Sequence, residues 1–129
     1  MPNYESSRCD PPAPVAEVIL RDRDSGKSTA GILMLIDTGA DVSLVPRAAV
    51  EELSITISKD ASYKLIGFDG QRTISPAVEM DVIFLRKRFR GKYIVVDDEW
   101  GILGRDVLAS LTILLDGPRQ QWLEYTSLH

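Results

Sequence analysis

Short apolar stretches alternate along this chain with breaks rich in Gly, Pro, Asp and Ser, the pattern of an all-β protein built from many short strands. Val15 to Arg21 alternates as a strand, Asp22 to Lys27 is a polar turn, and Ser28 to Ile36 returns as a second strand. The end of that strand, Ile32 to Ile36, is continuously apolar, which predicts burial on both faces. Pro46 suits the first turn of a short helix reaching Leu53, and Ser54 to Ser58 sets Ile55 and Ile57 between polar residues as a half-buried strand does. Tyr63 to Ile74 reads as a hairpin whose tip is Gly67-Phe68-Asp69-Gly70. Val78 to Leu85 is a strand, Arg86 to Lys92 a basic turn and Tyr93 to Val96 a strand. A short helix over Arg105 to Ser110 follows, then strands at Leu111 to Leu115 and Gln120 to Tyr125 joined by a turn at Asp116-Gly117-Pro118. Ahead of all this, Met1 to Pro14 holds four prolines and few apolar residues, and reads as a flexible arm on a single domain spanning 15–129.

Composition narrows the classes of function. A chain of 129 residues is one domain by length. Its net charge of −4 argues against nucleic-acid binding through overall charge, although Arg86 to Lys92 is a local exception read as a solvated turn. One cysteine, Cys9, allows no internal disulfide. The N-terminus lacks the apolar core of a signal peptide, and no apolar run approaches the ~20 residues of a membrane helix, so the expectation is a cytoplasmic protein without a membrane partner.

Chemistry concentrates where the buried strand ends, at Asp37-Thr38-Gly39-Ala40-Asp41. A carboxylate at the mouth of an apolar strand is costly unless it is hydrogen-bonded or neutralised, and Gly39 permits a sharp turn and close approach of another chain. By itself Asp-Thr-Gly is also an ordinary turn. The single histidine is the last residue, His129, which leaves no His base for a Ser or Cys nucleophile, and His or Cys ligands for zinc are absent, so neither metal nor cofactor is expected. Two acids sharing a water can still hydrolyse an amide.

A second motif, Gly101-Ile102-Leu103-Gly104-Arg105-Asp106, places Gly104 67 residues after Asp37. With both motifs in this order, the chain resembles the retroviral-type aspartic proteases, or retropepsins. The resemblance covers roughly Pro14 to Tyr125 and implies a closed acid-protease barrel with a flap hairpin and one or two short helices. It implies Asp37, Thr38 and Gly39 as the catalytic triplet. Gly39, Ala40 and Asp41, with Gly67, Phe68, Asp69 and Gly70 of the flap tip, are implied to touch substrate. Gly104 and Arg105 become supports beneath the loop, with Arg105 pairing with Asp41. Because one Asp-Thr-Gly occurs and no repeat supplies another, the second acid is expected from a second copy, giving a homodimeric endopeptidase acting on polypeptides. The terminal hairpin is expected either at the dimer interface, with Trp122 as an anchor, or closing the protomer's own sheet. Trp100 is expected to line an outer subsite or to pack. The alternative function is a retropepsin-fold module that dimerises or binds peptide without cleaving.

Overall fold

The computed structural model describes residues 2–55, 57, 62–66 and 72–126. Ten strands and two short helices are present among these residues: β1 (Tyr4–Glu5), β2 (Ala13–Arg21), β3 (Ser28–Ile36), β4 (Leu44–Pro46), α1 (Arg47–Glu52), β5 (Ser62–Ile66), β6 (Arg72–Phe84), β7 (Lys87–Val96), β8 (Gly101–Leu103), α2 (Arg105–Leu108), β9 (Ile113–Asp116) and β10 (Gln121–Glu124). The all-β class read from the sequence is the class observed.

The polar turn over 22–27 returns β3 antiparallel to β2, with Val15 opposite Leu35 and Arg21 opposite Ser28. β3 then lies parallel to β8, β8 meets β4 at Leu44 and Ile102, and β4 runs parallel to β7. β7 pairs antiparallel with β6, and β6 returns to β2 through Ile19–Ile83, Leu20–Val82 and Arg21–Asp81. Six strands therefore close a ring, with β1 attached to β2 and β5 to β6. The inward positions of these alternating strands, including Val18, Leu20, Met34, Met80, Val82, Val95 and Leu103, fill the ring as one core.

Two sequence readings shift. The segment Arg86 to Lys92 is not a basic turn: the turn is at Leu85 and Arg86, both at positive φ, and β7 begins at Lys87. Phe89 packs against the core while Arg88 and Arg90 point outward, so outward charges conceal a half-buried strand. Ile55 and Ile57 pack against the core but belong to no strand, and part of the strand expected over 54–58 lies outside the described residues.

The N-terminal segment lies along the C-terminal hairpin. Asn3 bridges Gln121, Tyr4 N–H donates to the Gln120 carbonyl at 2.7 Å, and Trp122 N–H donates to the Pro2 carbonyl at 3.0 Å. Trp122 itself is spent within the protomer. It is 3% exposed, its ring centroid lies 5.7 Å from that of Phe84, and its indole Nε1 donates to the Val15 carbonyl at 3.0 Å.

Candidate active site

β3 delivers Asp37 to one end of the ring. Leu35 and Ile36 pair in parallel with Ile102 and Leu103, and Asp37 N–H extends that ladder by donating to the Leu103 carbonyl at 3.0 Å. The chain then turns, with Ala40 N–H donating to the Asp37 carbonyl at 3.3 Å. Gly39 N–H donates to Asp37 Oδ1 at 2.8 Å, so the turn's own backbone aims the carboxylate. A Cβ at Gly39 would sit 3.1 Å from that oxygen, tight enough to disturb the bond.

The second motif underlies this loop. Arg105 N–H donates to the Ala40 carbonyl at 2.8 Å, and Arg105 Nη1 donates to the Thr38 carbonyl at 2.8 Å. Gly104 packs so closely that a Cβ there would meet the Ala40 oxygen and the Val42 carbonyl carbon, each at 2.9 Å. Gly101 is tighter still: its Cβ would fall 2.3 Å from the Leu44 carbonyl. The pairing of Arg105 with Asp41 drawn from the resemblance is not formed. Asp41 is exposed, no ion pair joins it among the described residues, and the guanidinium is turned onto the nearer Thr38 carbonyl.

Two residues to which the sequence assigns no role fasten the motifs together. Ser43 is fully buried, its Oγ donates to Asp106 Oδ1 at 2.6 Å, and the same oxygen accepts from Gly104 N–H at 2.9 Å. Ser43 N–H donates to the other carboxylate oxygen of Asp106 at 2.9 Å, and Asp106 Oδ1 also accepts from Val107 N–H at 3.0 Å. The Ser43 carbonyl in turn accepts from Ile94 N–H at 3.2 Å, tying the loop to β7. The sequence signal was an Asp immediately after the motif's arginine, whose partner lies 63 residues earlier.

Of the expected site residues, Asp37, Thr38, Gly39, Ala40, Gly104 and Arg105 are gathered here by these contacts, and Asp41 follows Ala40 as an exposed residue. The flap-tip residues Gly67, Phe68, Asp69 and Gly70 lie outside the described residues. The two arms of that hairpin are present, with β5 antiparallel to β6 and Ile66 opposite Arg72. Trp100 carries the guanidinium of Arg8 5.3 Å from its ring centroid, and Arg8 Nη1 also pairs with Glu99.

Beside the loop is a hollow of about 160 Å³ lined by Ile36, Thr38, Leu108, Leu111, Ile113 and Leu115. It opens onto β9, where Leu114 and Leu115 are 42% and 50% exposed. A larger hollow, about 420 Å³ between Val15, Phe84 and Trp122, includes none of the expected site residues. No group of three or more His, Cys, Asp or Glu side chains positioned to hold a metal occurs among the described residues. Among them, no helix is long and apolar enough to cross a membrane.

Comparison with known proteins adds to this geometry. The family model for retroviral aspartyl proteases matches residues 11–116. Among solved structures, an EIAV protease complexed with the inhibitor HBY-793 is similar, at 24% identity over 76% of this chain and 86% of that one, with a TM-score of 0.49. The foamy viral protease-reverse transcriptase in complex with an RNA/DNA hybrid is similar in fold, with a TM-score of 0.53 and 11% identity over 76% of this chain. The present chain spans 12% of that longer protein. No curated protein matches the sequence.

Proposed function

The chain belongs to the retroviral aspartyl protease family, and from that premise we propose that it is an aspartic endopeptidase whose active form is a homodimer. One observation carries this reading. The loop that bears Asp37, held by its own Gly39 amide, adjoins an apolar hollow lined by the half-buried Leu108, Leu111 and Ile113 and by Leu115, which with Leu114 is exposed. An exposed apolar surface of this kind is what a second copy buries. A two-fold axis beside the loop would bring two Asp37 carboxyl groups together, each supplied by one protomer.

Two carboxylates in contact do not both ionise readily, so the pair holds one proton between them. The ionised Asp37 takes a proton from a water as it attacks the peptide carbonyl carbon. The protonated Asp37 gives its proton to the carbonyl oxygen, producing a neutral tetrahedral diol. Collapse of the diol reverses the roles: the acid that gained a proton delivers it to the departing amine, and the other reclaims one from a hydroxyl. No covalent enzyme intermediate forms. The substrate lies extended across Gly39, Ala40 and Asp41 beneath the flap hairpin of β5 and β6, adding as a strand whose main chain is bound in register. Thr38 and Arg105 keep the loop rigid, the second through the Thr38 carbonyl.

Cleavage of an unfolded protein by the wild type and by Asp37→Asn, followed across acidic to neutral pH and over a range of protein concentrations, tests the reading. The expected result is loss of cleavage in the variant, together with wild-type specific activity that rises with protein concentration. A wild type that sediments as a dimer and cleaves nothing at any pH would turn the assignment to a non-catalytic binding module. Equal cleavage by both proteins would remove Asp37 from the mechanism.

A further inference from the structure

The outer face of the sheet at β2, β6 and β7 carries a charge arrangement that the active site does not use. Directly paired residues share a face in an antiparallel sheet. One row across the three strands is therefore Ile19, Ile83 and Arg88, and the next is Arg21, Asp81 and Arg90. Asp81 has no exposed surface. Its carboxylate is approached by Arg23 Nε at 3.2 Å, Arg21 Nη1 at 3.4 Å and Arg90 Nε at 3.9 Å.

A buried carboxylate needs a cationic partner. Here three surround it, and with Asp22 close enough to Arg21 to feel its charge the cluster still holds more cations than carboxylates, on a chain whose net charge is −4. Arg23 is further fixed by Nη2 on the Met80 and Gly91 carbonyls at 3.4 and 3.2 Å. A guanidinium has five N–H donors, and the Arg90 side chain remains 62% exposed, so its donors directed away from Asp81 face solvent. Arg88, one row on, has no carboxylate partner among the described residues. The following row sets Glu79 opposite Lys92 and adds no net charge.

We propose that this face is a docking site for an acidic, partly apolar stretch of polypeptide, and that it recruits substrate away from the cleft. The recruiting role rests on the protease reading above, whereas the docking itself does not. Two features favour polypeptide over nucleic acid. Ile19, 36% exposed, and the half-buried Ile83 lie in the row beside the arginines, matching a strand that alternates acidic and apolar side chains. Phe89, the aromatic residue of this part of β7, faces the core and offers no ring on which a base could stack. Ser28, opposite Arg21, begins β3 and Asp37 follows its end, so the arginine row lies about 30 Å along the strand from the Asp37 loop. A bound segment would thus be a tether, separate from the residues being cleaved.

The test uses the full chain carrying Asp37→Asn, so that no probe is consumed. The probe is a fluorescein-labelled peptide of about ten residues alternating Asp and Leu, read by anisotropy at low and high salt. The account predicts binding that weakens steeply with salt, no binding of a matched Lys-Leu peptide, and at least tenfold weaker binding in Arg88→Gln/Arg90→Gln. Arg88 is exposed, and loss of Arg90 leaves Asp81 its two nearer partners, Arg21 and Arg23, so that variant should stay folded; should it unfold, Arg88→Gln alone, expected to lose several-fold, takes its place. In the catalytically intact chain the same substitutions should raise KM for an acidic unfolded protein and leave kcat and short-peptide cleavage unchanged. Acidic-peptide binding that ignores these substitutions overturns the proposal. So does tighter binding of an RNA oligonucleotide of equal charge through the same residues. If Asp37→Asn proved to cleave like the wild type, the protease reading would fall while the binding result remained readable.

Discussion

Replacing Ser43 with Ala should loosen the Asp37 loop more than any other removal of a single hydroxyl there. Two hydrogen bonds are lost. The Ser43 Oγ to Asp106 bond is short at 2.6 Å and charge-assisted, and the Gly104 N–H loses its acceptor at 2.9 Å. Their costs differ in kind. Asp106 is exposed and keeps Ser43 N–H and Val107 N–H, so water takes over its vacated position and that loss falls near 1 kcal/mol. Gly104 is buried beneath the Ala40 and Val42 carbonyl groups, and an unsatisfied buried donor costs about 1–3 kcal/mol. The sum is about 2–4 kcal/mol, or roughly 10 °C in the melting temperature of a domain this size. Thermal unfolding followed by circular dichroism measures it. A double-mutant cycle with Asp106→Asn should show a coupling of about 0.5 kcal/mol or more. A Ser43→Ala protein melting within about 1 °C of the wild type would refute the view that this residue locks the two motifs together.

Gly101→Ala places a methyl 2.3 Å from the Leu44 carbonyl and should separate β4 from β8, costing about 3 kcal/mol or more in a chemical-denaturation curve. Leu114→Glu/Leu115→Glu changes two exposed side chains and should leave the protomer's melting temperature nearly unchanged. It should also raise the dimer dissociation constant at least tenfold in analytical ultracentrifugation, because each leucine buried by a partner contributes about 1.5–3 kcal/mol.

Local patterns were legible in the sequence, and pairings over long distances were not. The turn over 22–27 and the strand that follows it are written in adjacent residues, and β3 begins at Ser28, where the polar turn ends, and stops at Ile36, where the apolar run ends. β4 and β8 are three residues each, too short for any periodicity, and exist because β7 and β3 pair with them in parallel. β7 was obscured by its outward arginines, and by Gly91, where a Cβ would fall 3.0 Å from the Tyr93 ring, a tight contact. At the site, the two motifs announced which segments meet. They did not announce that Arg105 would turn to a backbone carbonyl, or that a buried serine and an aspartate 63 residues apart would join them. Such contacts depend on where the ring closes.

The central claim is that catalysis uses one Asp37 from each of two protomers. It is tested most directly by mixing wild-type and Asp37→Asn chains at a fixed total concentration that saturates dimerisation, after allowing exchange. Random pairing leaves about a quarter of the dimers with two Asp37 carboxylates in an equal mixture. Activity per wild-type chain should therefore fall to about half, and to about a tenth when the variant is in ninefold excess. Activity per wild-type chain that stays constant at every ratio, with exchange verified, would show that each protomer works with its own Asp37 alone and would contradict the account.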